Sequence, residues 1–170
     1  MRNAVICAAL VCTLLLAGCA ADTAQPDAQA AQVETVAAYL APEKNAALPD
    51  SELAVHPEIA TVRSMDALKA ADTPQMWIDA ACIAQADRDW LLSLNDVPIV
   101  VVGYGDGLYA FAERLDFPVE MPAGAVTDPD KPGFCVWMQT ENGDRQRIRS
   151  FEQALAVTGI LDACNGMDAA

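Results

Sequence analysis

The chain has 170 residues, 54% of them hydrophobic, six cysteines and a formal net charge of −14. That is room for one modest domain once targeting and linker segments are set aside. Twenty-four carboxylates against ten cationic side chains give a surface that repels phosphate backbones, so no nucleic acid is expected among the partners.

Arg2 supplies a positive start, and Ala4–Leu16 is an apolar run without charge. It is shorter than the roughly 20 residues that span a bilayer, but it has the length of a signal-peptide core. The run ends Leu16-Ala17-Gly18-Cys19. These four residues resemble the lipobox of bacterial lipoproteins, in which small residues precede a cysteine. The resemblance covers the first 19 residues and implies removal of residues 1–18, a thioether-linked diacylglycerol on Cys19 and acylation of the new amine. Several acyl chains make such an anchor stable. Ala20 rather than aspartate follows, which in that family favours the periplasmic face of the outer membrane over the inner membrane. The alternative is an ordinary cleaved signal with a chance cysteine.

Residues 20–32 (AADTAQPDAQAAQ) have almost nothing to bury and read as a flexible tether. Val33–Leu40 is compatible with a short helix ended by Pro42, and the tether is expected to resume through Asp50. The organisation expected is therefore a signal peptide over 1–18, a lipidated cysteine and tether over 19–52, and one α/β domain over 53–170 with its core at about 75–164. From Pro57, Ile59, Val62, Met65 and Leu68 recur at helical spacing. Met76–Ala80 is a short apolar run expected to be a buried strand, and Ile83, Ala86, Trp90, Leu91 and Leu94 predict a helix stopped by Asn95, Asp96 and Pro98. Pro98–Gly103 (PIVVVG) is β-branched and uninterrupted, the pattern of a strand covered on both faces. Asp106 is placed to cap a helix bearing Leu108, Phe111, Ala112 and Leu115. After a loop over 117–133, Phe134–Thr140 and Arg145–Arg149 flank Asn142-Gly143, a strong hairpin signal. Ser150 with Gln153 has the spacing of a capping box opening a last helix, which Asn165-Gly166 would end.

Strand, helix, strand, helix, loop, hairpin, helix over residues 75–164 is similar to the layout of the thioredoxin fold, as is the texture of VVVGYGDGLYAFAERLDFPVEM. The resemblance implies a three-layer α/β sandwich with a mixed sheet of about four strands. It also implies that the hairpin's first strand lies beside the first core strand, bringing Cys135 toward Cys82, with Pro132 near the family's conserved proline. The family's Cys-x-x-Cys is here Cys82-Ile83-Ala84-Gln85, with glutamine in place of the second thiol. Dithiol exchange needs a resolving thiol, although a lone thiol at a helix start can have a lowered pKa. Cys82 and Cys135 are accordingly candidates for a structural disulfide or a redox pair, and Cys164 for a buried, free or intermolecular thiol.

Other constellations are weaker. Gly103-Tyr104-Gly105-Asp106-Gly107 departs from the dinucleotide fingerprint and reads as a tight turn. His56 is the only histidine, which gives little basis for a zinc site or a catalytic triad. Asp106, Asp128 and Asp130 lack the spacing of a calcium loop, so neither metal nor cofactor is expected. Arg145, Arg147 and Arg149 alternate and would share one face of a strand; they are either a ridge for an anionic partner or charges guarding a sheet edge. Two functions are thus open. One is a lipid-anchored, non-catalytic thioredoxin-like module that binds or scaffolds an envelope protein. The other is an envelope thiol-disulfide oxidoreductase using Cys82 with Cys135.

Overall fold

A computed structural model describes residues 33–105, 107–117, 131–140 and 146–168. The elements are β1 (Ala37–Leu40), α1 (Asp50–Leu53), β2 (Ile59–Val62), α2 (Met65–Ala70), β3 (Gln75–Asp79), a 3-10 turn (Ala80–Gln85), α3 (Arg88–Ser93), β4 (Ile99–Val102), α4 (Gly107–Tyr109) continued by π-helical turns over Ala110–Arg114, β5 (Gly133–Gln139), β6 (Gln146–Glu152) and α5 (Val157–Asp168). The six strands make one mixed sheet in the order β2-β1-β3-β4-β5-β6. β1 to β4 are parallel, while β5 runs antiparallel to β4 and β6 antiparallel to β5. The protein is α/β, with helices on both faces.

Burial on both faces explains why the central strands are apolar at every position rather than alternating. Tyr39, Trp77, Val100, Val102, Phe134 and Val136 point to one face, where Leu48 and the Val157, Ile160, Cys164 and Met167 stripe of α5 cover them. Leu40, Ile78, Val101, Cys135 and Trp137 point to the other, under Leu68 of α2, Leu91 of α3 and Phe111. Each large side chain taken fully out of water in this way contributes about 1.5–3 kcal/mol.

Several expectations are corrected. Residues 37–40 are not tether or helix but a fully buried strand lying between β2 and β3, so the folded part reaches back well before residue 53. Four residues of AAYL are too short to show a strand period, and burial on both faces removes the alternation that would have marked them. The sheet has six strands rather than four, and β5 pairs with β4, not with β3. The expected helix from Pro57 is instead β2 followed by α2, divided at Ser64, whose Oγ accepts from the Ala67 N–H at 3.2 Å. The expected helix over 83–94 divides likewise at Asp87, which caps Trp90 at 3.1 Å. Ser150 lies in β6 and opens no helix; α5 starts at Val157 and continues past Asn165-Gly166. The strands near 76–80 and 98–103 and both hairpin strands stand where expected. The lipobox, Asp106, Asp128, Asp130, Asn142-Gly143 and Arg145 lie outside the described residues.

Candidate functional site

Open parallel sheets bind ligands outside the carboxyl ends of their strands, where successive connections leave toward opposite faces. Here that point is between β1 and β3. The connection from β1 to β2 packs Leu53 on the α5 face, whereas those leaving β2 and β3 pack Leu68 and Leu91 on the other. The residues at this crevice are Tyr39, Asp79 and the loop that follows β1.

The crevice is filled by the chain itself. Asp79, the last residue of β3, is 2% exposed. Its Oδ2 accepts from the Tyr39 hydroxyl and from the Ala47 N–H at 2.7 Å, and its Oδ1 accepts from the Ala81 N–H at 2.9 Å. The Tyr39 oxygen accepts in turn from the Leu48 N–H at 3.3 Å. Burial, reinforced by the hydrogen bond and the charge of Asp79, raises the Tyr39 pKa well above the ordinary tyrosine value, which keeps the phenol protonated as a donor. Gly103 closes the other side with φ of +112°, and a Cβ there would stand 2.9 Å from the Ala80 Cβ. A buried charge with both oxygens partnered serves to fasten loop 41–49 onto the sheet. Glu43, Lys44 and Asn45 of that loop, with Asp50 and Arg63, help line a polar cavity of about 250 Å³.

Cys82, Cys135 and Cys164 lie in three separate elements. Cys82 sits in the 3-10 turn as a buried free thiol. Burial, with the nearby Asp79 charge adding to it, pushes its pKa up against the opposing pull of Arg63. The lowered pKa expected of a helix start is therefore reversed, and a thiol held protonated is a poor nucleophile. Cys135 is buried in β5 opposite Val101. Cys82 thus lies in the turn that follows β3 and Cys135 in β5, with β4 between those two strands. Cys164 is buried on the opposite face of the sheet from Cys82 and Cys135.

The glycines at 105 and 107 serve packing. A Cβ on Gly107 would lie 1.9 Å from the Cys135 Cβ, because α4 starts directly on β5, and the Gly107 N–H donates to Ser150 Oγ at 2.8 Å. His56 joins Glu58 at 2.7 Å and approaches Glu52 at 3.9 Å. Glu52 itself accepts from the Val157 N–H at the start of α5 at 2.9 Å. Among the described residues no group of three or more His, Cys, Asp or Glu could hold a metal ion.

Arg147 and Arg149 share one face of β6, as their alternation predicts, and that face is the one α5 covers. Arg147 donates to the Met167 carbonyl in the last turn of α5, a favourable place for a cation. Arg149 lies beside Gly166, is exposed, and has no acidic partner among the described residues. Gln146, Arg147, Ile148, Arg149 and Met167 line an open cavity of about 430 Å³ along the strand. The Tyr39–Asp79 knot escaped sequence reading; its one signal is an acid ending an otherwise apolar strand, Met76-Trp77-Ile78-Asp79. Compared with known protein families, with curated proteins and with solved structures, the chain finds no match.

Proposed function

We propose that the chain is a lipid-anchored protein of the bacterial cell envelope, held by Cys19 on the periplasmic face of the outer membrane, whose domain binds or scaffolds an envelope protein and performs no catalysis. The anchor rests on Leu16-Ala17-Gly18-Cys19 after a short apolar core. The observation that carries the non-catalytic reading is the filled crevice: loop 41–49 occupies the place where a sheet of this kind receives a ligand, pinned there by Asp79. Cys82 supports it, being buried with a raised pKa. The thioredoxin-like element of the reading rests on the succession of elements from β3 to α5; the strand order and the missing second thiol set this domain apart from enzymes of that layout.

Mass spectrometry of the mature protein from a bacterial host tests the anchor. A diacylglyceryl-modified, acylated Cys19 is expected, and Cys19→Ala should leave the membrane fraction. An intact leader or an unmodified thiol at Cys19 refutes it. Insulin reduction by the full-length protein in detergent tests the rest. Turnover that Cys82→Ser abolishes would restore the oxidoreductase reading, whereas no turnover and slow alkylation of Cys82 at neutral pH are expected.

A further inference from the structure

The two edges of the sheet differ. β2 offers four residues, whereas β6 offers seven. Among the described residues nothing pairs with the outer edge of β6, so alternate backbone N–H and C=O groups there face outward. The strand is already ordered for a partner. It pairs with β5 over its whole length, Phe151 stacks on Phe134 at 4.7 Å, and Ser150 holds the start of α4.

Charge decides what fits this edge. The chain is strongly acidic, yet the exposed cation of Arg149, with Arg147 two residues before it, stands beside an open cavity of about 430 Å³. A second copy fits poorly. The antiparallel two-fold register that pairs all seven residues of β6 is centred on Arg149 and sets arginine directly opposite arginine, which is destabilising. An incoming strand with carboxylates at alternate positions meets the opposite situation. It gains charge-assisted bonds to Arg149, and the cavity has room for its side chains. Two like charges guard the edge against a second copy of β6 and other cationic strands while admitting an acidic one, which is discrimination by repulsion.

Building on the reading of the domain as a binding module, we propose that the outer edge of β6 receives an extended acidic segment of a partner protein as a seventh strand, with Arg149 reading its carboxylates.

The test is a titration of full-length protein in neutral detergent with a labelled peptide of alternating Glu and Val, followed by fluorescence anisotropy at low salt. Binding is expected, and an alternating Lys and Val peptide should not bind. N-methylation of alternate backbone amides removes the pairing donors and should weaken the acidic peptide at least about tenfold. Arg149→Glu should do so as well, and that side chain holds no carbonyl of α5, so the fold is kept. No binding of the acidic peptide, equal binding of its N-methylated form, or undiminished binding to Arg149→Glu would each overturn the proposal. A concentration-dependent dimer abolished by Arg149→Glu would overturn it too, by giving the edge to a second copy. The titration does not involve Cys19, so its failure leaves the anchored-module reading standing, and loss of the anchor leaves the titration intact.

Discussion

At the carboxyl ends of β1 and β3 a carboxylate is shut inside the protein with both oxygens partnered, while on β6 a guanidinium stands exposed without an acidic partner among the described residues. The two halves of the sheet put their charges to different uses. In the parallel half, Asp79 receives donors from Tyr39, Ala47 and Ala81, three segments distant in sequence or turning away from the strand, and so determines where the loop after β1 lies. Such a charge has no freedom left for a ligand. In the hairpin half, Arg149 has no acidic partner among the described residues, and its donors are available to a partner. Burial turns a charge into structure; exposure leaves it available for recognition.

Removing Asp79 breaks the comparison most severely. Asp79→Ala orphans the Tyr39 hydroxyl and the Ala47 and Ala81 N–H groups at once, and should cost about 3 kcal/mol or more in urea denaturation. Asp79→Asn, which keeps an acceptor oxygen, should recover part of that. Arg149→Ala should stay within about 0.5 kcal/mol of the parent, as exposed sites do. Equal losses at the two positions would show that Asp79 is not the fastening of loop 41–49. Gly107→Ala comes next, at about 2–3 kcal/mol, because the new methyl overlaps the Cys135 Cβ at 1.9 Å. Cys135→Ala should give no rescue, since the overlap is with the Cβ and not the sulfur.

What could be read from the chain follows the same division. β4 was legible because Ile99-Val100-Val101-Val102 is β-branched throughout, and the hairpin because two alternating runs flank Asn142-Gly143. β1 was not, since Ala37-Ala38-Tyr39-Leu40 has no period and follows a polar stretch that invites a reading as tether. Recurrence every three residues made one helix of Ile59–Leu68, although Ser64 was there to cap a shorter one. The Asp79 knot joins residues 40 apart, and no local spacing announces such a pair. Ser150 and Gln153 have capping-box spacing, yet the Ser150 hydroxyl caps the backbone of Gly107 across the fold instead. Tertiary contacts overrode a valid local signal. The ridge of arginines could be read from sequence; that α5 covers its face could not.

Tyr39 sharpens the comparison with a pH dependence. Tyr39→Phe should cost about 1 kcal/mol at neutral pH, the usual size of one hydrogen bond. The two proteins should differ further in how their stability responds to high pH. In the unfolded chain the phenol loses its proton near pH 10, whereas in the folded protein it is retained to higher pH. The folded state then binds more protons than the unfolded one, so stability falls as pH rises past that value. Alkaline unfolding should therefore begin near the ordinary tyrosine range in the parent and be less steep in Tyr39→Phe. Identical alkaline profiles would mean that the hydroxyl is not shut in with Asp79.

The smallest effect tests whether the two arginines of β6 differ as their contacts say. Arg147 places its charge on the Met167 carbonyl, where the unpaired carbonyls of the last turn of α5 carry partial negative charge, so Arg147→Ala should cost about 0.5–1 kcal/mol at low salt. Arg147→Lys should keep most of the electrostatic part. In about 1 M salt the Debye length falls to about 3 Å, and the deficit of the alanine variant should shrink toward the contribution of the hydrogen bond alone. Hydrogen exchange locates the loss: amides in the last turn of α5 should exchange faster in Arg147→Ala, while those of β4 keep their protection. The same measurement on Arg149→Ala should show neither change, because that side chain reaches no carbonyl of the helix. Fraying of α5 in both variants would make the ridge a single structural clamp, and Arg149 would then lose its claim to be the free charge that a partner strand meets.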